Sequence, residues 1–190
     1  GVEGLARVEL RQVHQRDVLV DRVGQAADGF TVSLVRPESD ATHVVLRHGE
    51  VVVTESAAIC AYLADHFPDK GLIPPAGATQ RAAYFRWMFF VAGPLEMAVT
   101  AKSLDWQVPQ GKSSMVGFGS YHDVLQALEM ALEGAAFVCG DQFTAADVVL
   151  GSAIGWGMLF GTIEKRAVFE AYASRCMSRP AYQRAVQINE

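Results

Sequence analysis

The stretch from Val51 to Phe67 constrains the fold more than any other part of the chain, because a strand pattern runs directly into a helix pattern there. The first three residues are all valine and form a short apolar run. After Thr54 the spacing changes, and apolar positions recur every three or four residues, which predicts a helix. The residues at these positions are Ile59, Tyr62, Leu63, His66 and Phe67. The chain is therefore expected to pass from a strand into a helix within a few residues.

The start of this predicted helix carries groups that suit an anion. Thr54 is the predicted N-cap, and Glu55 falls in the first turn, where the macrodipole favours a negative charge. The hydroxyl of Ser56 lies at the same end, beside backbone N–H groups that have no partner within the helix. Such an end can receive a ligand carboxylate. By itself, however, a Glu-Ser pair here is most often just the start of a capped helix.

Composition excludes several classes of protein. The chain has 190 residues and is 51% hydrophobic, which is enough for one sizeable core or two small ones. The net charge is -5, and no Lys/Arg cluster follows one face, so we expect no nucleic-acid partner. No apolar run approaches the roughly 18–20 residues that span a bilayer, so we expect no membrane segment. There is no signal-peptide pattern, which favours a cytoplasmic location.

The cysteines favour a reducing compartment and offer no clear chemistry. Cys60, Cys139 and Cys176 are odd in number and widely spaced, which argues against a disulfide framework. None has a base beside it in the sequence, so each is interpreted as a buried small hydrophobe rather than a nucleophile. No Cys/His spacing is typical of a metal site, and we predict no bound metal.

The first seventy residues read as a mixture of strands and helices. Residues 1–17 predict a helix, 18–20 a strand and 30–35 a second strand. Two apolar runs around Gly49 predict a β-hairpin. Residues 71–78 are rich in proline and glycine, so we place a linker there, between a first domain over 1–70 and a second over 79–190.

The second domain is predicted to be helical throughout. A long helix begins near Thr79 and is expected to bend, but not end, at Gly93-Pro94. Further helices are predicted over 120–133, 145–160, 166–177 and 179–188. The third of these five is preceded by the clearest local signal, a capping box formed by Thr144 and Asp147. Because that helix is apolar nearly all round, we expect it to be buried.

Several stretches resemble the glutathione transferase family. Residues 44–67, VVLRHGEVVVTESAAICAYLADHF, resemble the end of its thioredoxin-like domain. Residues 85–96, FRWMFFVAGPLE, and 117–121, GFGSY, resemble its bacterial members, while 140–157, GDQFTAADVVLGSAIGWG, resemble its buried C-terminal helix. The resemblance implies an α/β thioredoxin-like N-terminal domain followed by an all-α C-terminal helical domain. It also implies a homodimer with glutathione as a substrate.

The resemblance also assigns roles to individual residues. Glu55 would meet the ammonium group of glutathione, and Ser56 would meet the carboxylate of its γ-glutamyl end. Val44 and Val45 occupy the place where the family's backbone pairs with the cysteinyl part. The apolar side chains expected to line an electrophile pocket are Tyr84, Trp87, Met88, Phe118 and Trp156.

The chain departs from the family pattern at two points. Residues 1–30 contain no Ser, Thr, Tyr or Cys, so the residue that activates the thiol is not identified and the family's first strand is not recognised. The family's cis-proline falls at or next to Val44, and the nearest proline is Pro37. A non-proline cis bond costs roughly 2.5–4 kcal/mol, so Val44 is not expected to copy that geometry. Either the chain lacks its true start and this segment is altered, or the glutathione site is degraded.

Two functions follow from these observations. The first is a glutathione S-transferase that conjugates the glutathione thiolate to a small apolar electrophile, with a role in detoxification. The second is a non-catalytic relative that binds ligands or serves as an interaction module. The retained helix start at Ser56 favours the first function, whereas the missing hydroxyl and proline favour the second.

Overall fold

The computed structural model describes residues 21–25, 30–35 and 43–189. They form two compact units, one made of the described residues up to Ile59 and from Arg179 onward, the other of Cys60–Ser178. The predicted helix over 1–17, the predicted strand over 18–20 and Pro37 lie outside the described residues. The predicted linker, 71–78, lies within the second unit, and the domain boundary drawn there stays a prediction.

The first unit contains a four-stranded antiparallel sheet with the strand order β1-β2-β3-β4. Its strands are Asp21–Gln25, Phe30–Val35, His43–His48 and Val51–Thr54. The predicted strand over 30–35 and the predicted hairpin are both confirmed. The hairpin turn has Gly49 at its first central position with φ 57°, where a side chain would be strained.

Helix α1 spans Ser56–His66 and begins one residue after the sheet ends. The carbonyl of Glu55 accepts the first helical hydrogen bond, from the N–H of Ile59 at 2.9 Å, so Glu55 occupies the N-cap position. The predictions that Thr54 is the N-cap and that Glu55 lies in the first turn are wrong. Thr54 is still paired with Val45 in the sheet, which leaves a single residue to turn the chain into the helix.

Six more helices follow, of which α2–α6 belong to the second unit and α7 to the first. They are α2 Gln80–Phe90, α3 Glu96–Ser103, α4 Tyr121–Leu132, α5 Ala145–Phe160, α6 Ala167–Met177 and α7 Pro180–Asn189. Single 3-10 turns occur at Pro68–Lys70 and Ser113–Met115. Every predicted helix of the second half is therefore confirmed to within two residues. No helix in the described ranges is long and apolar enough to cross a membrane.

Gly93-Pro94 is accommodated without ending the helix, as predicted. Helices α2 and α3 are joined by a π-helical turn over Val91–Leu95, which contains the proline. Proline has no N–H to donate and its ring displaces the carbonyl of the preceding turn, and a wider turn relieves both conflicts. Val91 and Leu95 point into the core on either side of the proline, so the turn is part of the packed structure.

Helix α5 is only half buried, although its composition predicts burial on all sides. One face carries mostly small residues and is enclosed. A Cβ on Gly151 of this face would stand 3.1 Å from the Sγ of Cys176 on α6. The opposite face is exposed and includes Trp156 and Phe160, which are 59% and 70% exposed. The apolar residues on the exposed face recur at helical spacing, so the error lies in assuming that every apolar face is covered.

The start of α5 is held by a buried carboxylate, that of Asp147. Its Oδ1 accepts hydrogen bonds from the N–H of Val138 and the hydroxyl of Tyr172, both at 2.8 Å. Its Oδ2 accepts from the N–H of Thr144 at 2.8 Å and from the Thr144 hydroxyl at 3.1 Å. The predicted capping box is therefore confirmed. Because the carboxylate also reaches α6 and the preceding loop, the box connects three segments of the chain.

We expect Asp147→Ala to be among the most destabilising substitutions in the helical unit. It leaves four donor groups without this acceptor in a fully buried site, and we expect a loss of at least about 3 kcal/mol in the free energy of unfolding. Asp147→Asn keeps one acceptor oxygen, and we expect a smaller loss of about 1–3 kcal/mol. Urea unfolding monitored by circular dichroism measures both.

Asp141→Asn is the matched control, because Asp141 is an exposed acid in the loop before the same helix. Its unfolding midpoint is expected to equal that of the parent. A loss below about 1 kcal/mol for Asp147→Ala would contradict the central place given to this carboxylate.

Candidate functional site

The junction between β4 and α1 is strained. Glu55 has φ 66°, in the left-handed region that glutamate rarely adopts. Such a conformation costs an ordinary L-residue roughly 1–2 kcal/mol relative to the right-handed region. Strain of this kind persists where the surrounding structure enforces it, and it clusters at functional sites. The junction is therefore a candidate site on geometric grounds.

The amino end of α1 is also accessible. Thr54, Glu55 and Ser56 are all exposed, so no side chain of the described ranges covers the helix start. The backbone N–H groups of Ser56, Ala57 and Ala58 have no acceptor among the described residues, as is usual in the first turn of a helix. These N–H groups, the Ser56 hydroxyl and the positive end of the macrodipole favour a bound anion.

The sheet register brings Val44 and Val45 to the same corner. Val45 pairs with Thr54, the last residue of β4, so Val44 stands one position further on, opposite the point where the chain turns at Glu55. On the other side of β3, Val44 and Val45 pair with Leu34 and Ser33 of β2. The four residues predicted to bind glutathione therefore lie around one strand–helix junction. The described residues contain no cis peptide bond, so Val44 does not reproduce the geometry of a cis-proline.

The five side chains predicted to line an electrophile pocket are not brought together. Tyr84, Trp87 and Met88 are at most 4% exposed and form part of the core of the helical unit. A side chain so enclosed meets a ligand only if its neighbours move. Trp156 is exposed, and its ring stacks on that of Phe160 with centroids 5.4 Å apart. Phe118 is half-buried and lines a cavity.

That cavity lies within the helical unit and has a volume of about 490 Å³. Its walls are almost entirely apolar and come from α3 and the segment between α3 and α4. The main apolar contributors are Met97, Ala101, Trp106, Met115, Val116 and Phe118. Sequence reasoning identified only the last of these. The signal that was available is the unusual density of Trp, Met and Phe in a segment otherwise rich in Gly, Pro and Ser.

Comparison with known proteins agrees with this architecture. Residues 94–180 match the family model of the glutathione S-transferase C-terminal domain. Glutathione S-transferase GstA of Escherichia coli O157:H7 is 26% identical over 171 residues, which are 90% of this chain and 82% of that protein. The crystal structure of a glutathione transferase from Methylococcus capsulatus str. Bath superposes with a TM-score of 0.61 at 28% identity, over 80% of this chain and 74% of that one.

A third match carries a ligand. It is a sphingomonad glutathione S-transferase complexed with glutathione, with a TM-score of 0.59 and 27% identity over 80% of this chain and 74% of that one. The predicted resemblance to the bacterial glutathione S-transferases is confirmed. The predicted fold class, a thioredoxin-like α/β domain followed by an all-α helical domain, is confirmed. The residue roles taken from the resemblance remain predictions.

The cysteines of this glutathione S-transferase homologue are poor nucleophiles. Burial raises the pKa of Cys60 above its ordinary value, and burial raises that of Cys139 to about 11. Cys176 is buried beneath α5, and none of the three forms a disulfide. A thiol with a raised pKa carries little thiolate at neutral pH. The raised pKa values of Cys60 and Cys139 and the burial of Cys176 agree with the interpretation of all three as small hydrophobes.

Tyr84 is an exception to the good hydrogen bonding of the helical core. Its hydroxyl is buried and has no hydrogen-bond partner among the described residues. Burial, with a smaller contribution from Cys60, raises the pKa of Tyr84 to about 12. Tyr172 is equally buried, but its hydroxyl donates to Asp147. The two tyrosines therefore form a natural pair for comparison.

We expect Tyr84→Phe to stabilise the protein by about 1 kcal/mol, because it removes an unsatisfied buried hydroxyl. Tyr172→Phe is the matched control and is expected to lower stability by about 2 kcal/mol, since it removes a donor to a carboxylate. Urea unfolding at neutral pH measures both. A destabilised Tyr84→Phe would show that the hydroxyl has a partner.

The stability of the parent and that of Tyr84→Phe should also respond differently to high pH. Because the native pKa of Tyr84 is raised from 10.0 to about 12, the folded state holds this proton longer than the unfolded state does. The stability that this difference in pKa contributes is complete below pH 10 and is lost as pH rises toward 12. Tyr84→Phe is therefore expected to lose less stability than the parent over that range, as measured by the urea midpoint.

Proposed function

We propose that the chain binds glutathione at the amino end of α1 and conjugates its thiolate to a small apolar electrophile. The single observation that carries the proposal is the open, strained helix start at Glu55-Ser56 in a chain of this family. Activity of this kind, in the cytoplasm, would serve the detoxification of reactive apolar compounds.

The chemistry of the helix start fits the γ-glutamyl end of glutathione, which carries an ammonium and a carboxylate on one carbon. The Ser56 hydroxyl and the first-turn N–H groups are donors for the carboxylate. The adjacent Glu55 carboxylate is an acceptor for the ammonium. A zwitterion is therefore matched by an anionic side chain at Glu55 and by hydrogen-bond donors at the helix start at Ser56. The complex of the sphingomonad relative with glutathione supports this choice of ligand.

The strained backbone of Glu55 supports the same proposal. A glycine at this position would avoid the left-handed penalty but would lack the carboxylate. Keeping a glutamate there costs stability, which is reasonable if its side chain has a binding role. Val44 and Val45 at the facing end of β3 are proposed to offer main-chain groups to the cysteinyl part.

Conjugation further requires a thiolate. A free thiol with a pKa of about 8.5 is only about 3% ionised at pH 7. Lowering that pKa by about two units requires roughly 2.7 kcal/mol of preferential thiolate stabilisation. The donors at the helix start contribute to this, but a hydroxyl or thiol donor close to the sulfur is also needed. That donor is unassigned in this chain.

For the electrophile we propose the exposed apolar face of α5. Trp156 and Phe160 present stacked rings to solvent, and flat apolar surfaces of this kind suit aromatic electrophiles. Phe118 belongs to the separate cavity described above.

A non-catalytic function is the second candidate. The observation in its favour is the lack of any Ser, Thr, Tyr or Cys among residues 1–30, together with valine at the position of the family's proline. In that case the chain would bind glutathione or apolar ligands, or another protein, without turnover. Binding and turnover must therefore be measured separately.

Retention on immobilised glutathione, followed by conjugation of 1-chloro-2,4-dinitrobenzene, tests the proposal. We expect retention and measurable turnover. Retention without turnover would favour the non-catalytic function, and no retention would contradict both glutathione proposals. We expect Ser56→Ala to weaken glutathione binding about tenfold, because it removes a hydrogen bond to a charged group. Ser174→Ala, an exposed serine on α6, is the control and should bind as the parent does.

Glu55→Gly separates binding from stability. We expect it to raise the free energy of unfolding by about 1 kcal/mol by relieving the left-handed strain, and to weaken glutathione binding. Calorimetric titration with glutathione and urea unfolding measure the two effects. Tighter or unchanged binding by this variant would remove Glu55 from the site.

We also propose a homodimer, as is usual in this family. Phe85 and Phe89 stand one turn apart on α2 and are 42% and 73% exposed, which favours a partner surface there. Phe89→Glu is expected to convert a dimer into a monomer in light scattering after gel filtration. Phe160→Glu, an equally exposed aromatic on α5, is expected to leave the mass unchanged. A parent that is already monomeric would contradict the proposal.

A further inference from the structure

Strand β4 lies at one edge of the sheet that the described strands form. Hydrogen-bonded and non-hydrogen-bonded pairs alternate along an antiparallel ladder, and the pair that closes a two-residue turn, His48 and Val51, is a bonded one. Counting from this pair, Val53 is bonded to β3, whereas the N–H and C=O groups of Val52 and Thr54 point away from β3. Neither of these two residues makes a further backbone hydrogen bond outside the ladder with a described residue.

The edge at β4 lacks charged residues, proline and a β-bulge, three features that commonly prevent further strands from adding to a sheet. The opposite edge, β1, contains two charged residues and a break in register after Val23. β4 is Val-Val-Val-Thr, and Val51 and Val52 are 48% and 50% exposed. The outer edge of β4 is therefore suited to the addition of an extended segment, the mode of binding called β-augmentation.

The charges around β4 define the kind of segment that fits. Glu50 precedes the strand and Glu55 follows it, both are exposed, and neither forms an ion pair with a described residue. Arg47 of β3 pairs with Val52, so a positive charge lies behind the middle of the strand. Complementary charges across an interface favour one kind of partner over others. The matching segment therefore has apolar, β-branched residues at its centre and a lysine or arginine at each end.

The same charges disfavour a second copy of this chain as the partner. In an antiparallel pairing of two β4 strands, Glu50 of one copy would lie close to Glu55 of the other at both ends of the interface. Like charges placed in this way are destabilising. Because β4 has only four residues, few backbone hydrogen bonds would offset the repulsion.

We propose that β4 is a docking strand for an extended segment of a partner protein that has an apolar, β-branched centre and a basic residue at each end. The segment adds a further strand to the sheet through the outward N–H and C=O groups of Val52 and Thr54. Its basic ends meet Glu50 and Glu55. The interaction goes beyond the proposed function, because it requires neither bound glutathione nor turnover.

Four labelled heptapeptides, titrated against the full chain by fluorescence anisotropy without glutathione, test the kind of partner. The first is Lys-Val-Thr-Val-Thr-Val-Lys, and the second has glutamate in place of both lysines. The third and fourth have the first sequence with N-methyl groups on the odd or on the even residues, so each lacks the N–H donors along one edge. We expect the lysine peptide to bind and the glutamate peptide to bind at least about fivefold more weakly. We expect one N-methylated peptide to bind at least about fivefold more weakly than the other.

A pair of variants at Val52 tests the backbone contact. Val52→Pro removes an outward N–H without breaking the ladder to β3, and we expect it to weaken the lysine peptide at least about fivefold. Val52→Thr is the matched control, because it keeps both the donor and the β-branched shape, and it should bind within about twofold of the parent. Circular dichroism checks that both variants fold.

A pair of variants at acidic residues tests the charge preference. Glu50→Gln is expected to weaken the lysine peptide about two- to threefold at low salt and to strengthen the glutamate peptide by a similar factor. Glu133→Gln is the control, because Glu133 is an exposed acid that follows α4, and it should change neither affinity.

The proposal is overturned if the glutamate peptide binds as well as the lysine peptide, if both N-methylated peptides bind as the unmodified one does, or if a folded Val52→Pro binds as the parent does. A lower mass for folded Val52→Pro in light scattering would also overturn it, since a second copy would then occupy the edge. If Val52→Pro does not fold, the N-methylated peptides and Glu50→Gln still decide. Glutathione is absent from every measurement, so failure of the chain to bind glutathione contradicts only the proposed function.

Discussion

The helical unit depends on a single buried carboxylate. Asp147 accepts hydrogen bonds from Val138 in the loop before α5, from the N-cap residue Thr144 and from Tyr172 on α6. A charge removed from water is stable only where donors replace its hydration, and here four donors surround its two oxygens. A main-chain hydrogen bond holds a further segment at the start of α5, because the N–H of Ala145 donates to Leu72 O at 2.8 Å. The start of α5 is therefore bonded to the segment at Leu72, to the loop at Val138 and to α6.

The proposed glutathione site is built on the opposite principle. At Asp147 every buried polar group is satisfied, whereas at Glu55 the backbone is strained and the first-turn N–H groups face solvent. A ligand can use only groups that the fold itself leaves unpaired. The cavity beside Trp106 follows a related logic, because its apolar walls are held in place by backbone hydrogen bonds and yet remain in contact with water. In both places, hydrogen-bonded elements hold groups that remain exposed to solvent, N–H groups at the helix start and apolar side chains around the cavity.

Local patterns predicted the helices well and the burial of their side chains less well. The capping box at Thr144 and the continuous helix through Pro94 depend on residues a few positions apart, so the sequence contained the necessary information. Burial depends on what packs against a face. Trp87 is enclosed and Trp156 is exposed, although α2 contains two arginines and α5 is apolar nearly all round. The helix start at α1 was misplaced for the same reason, because the pairing of Thr54 with Val45 is a contact between distant residues.

The sequence by itself determined the hairpin around Gly49, the helices of the second half, the strand–helix junction at Ser56 and the capped helix after Thr144, since each depends on spacing and local hydrogen bonds. Only the tertiary structure decided which aromatic rings meet water, that Glu55 carries the whole turn into α1, and that Trp106, Met115 and Phe118 enclose a cavity. These features depend on how separate segments of the chain pack against one another. The packing free energy is a property of the whole folded chain, so no single stretch of sequence determines it.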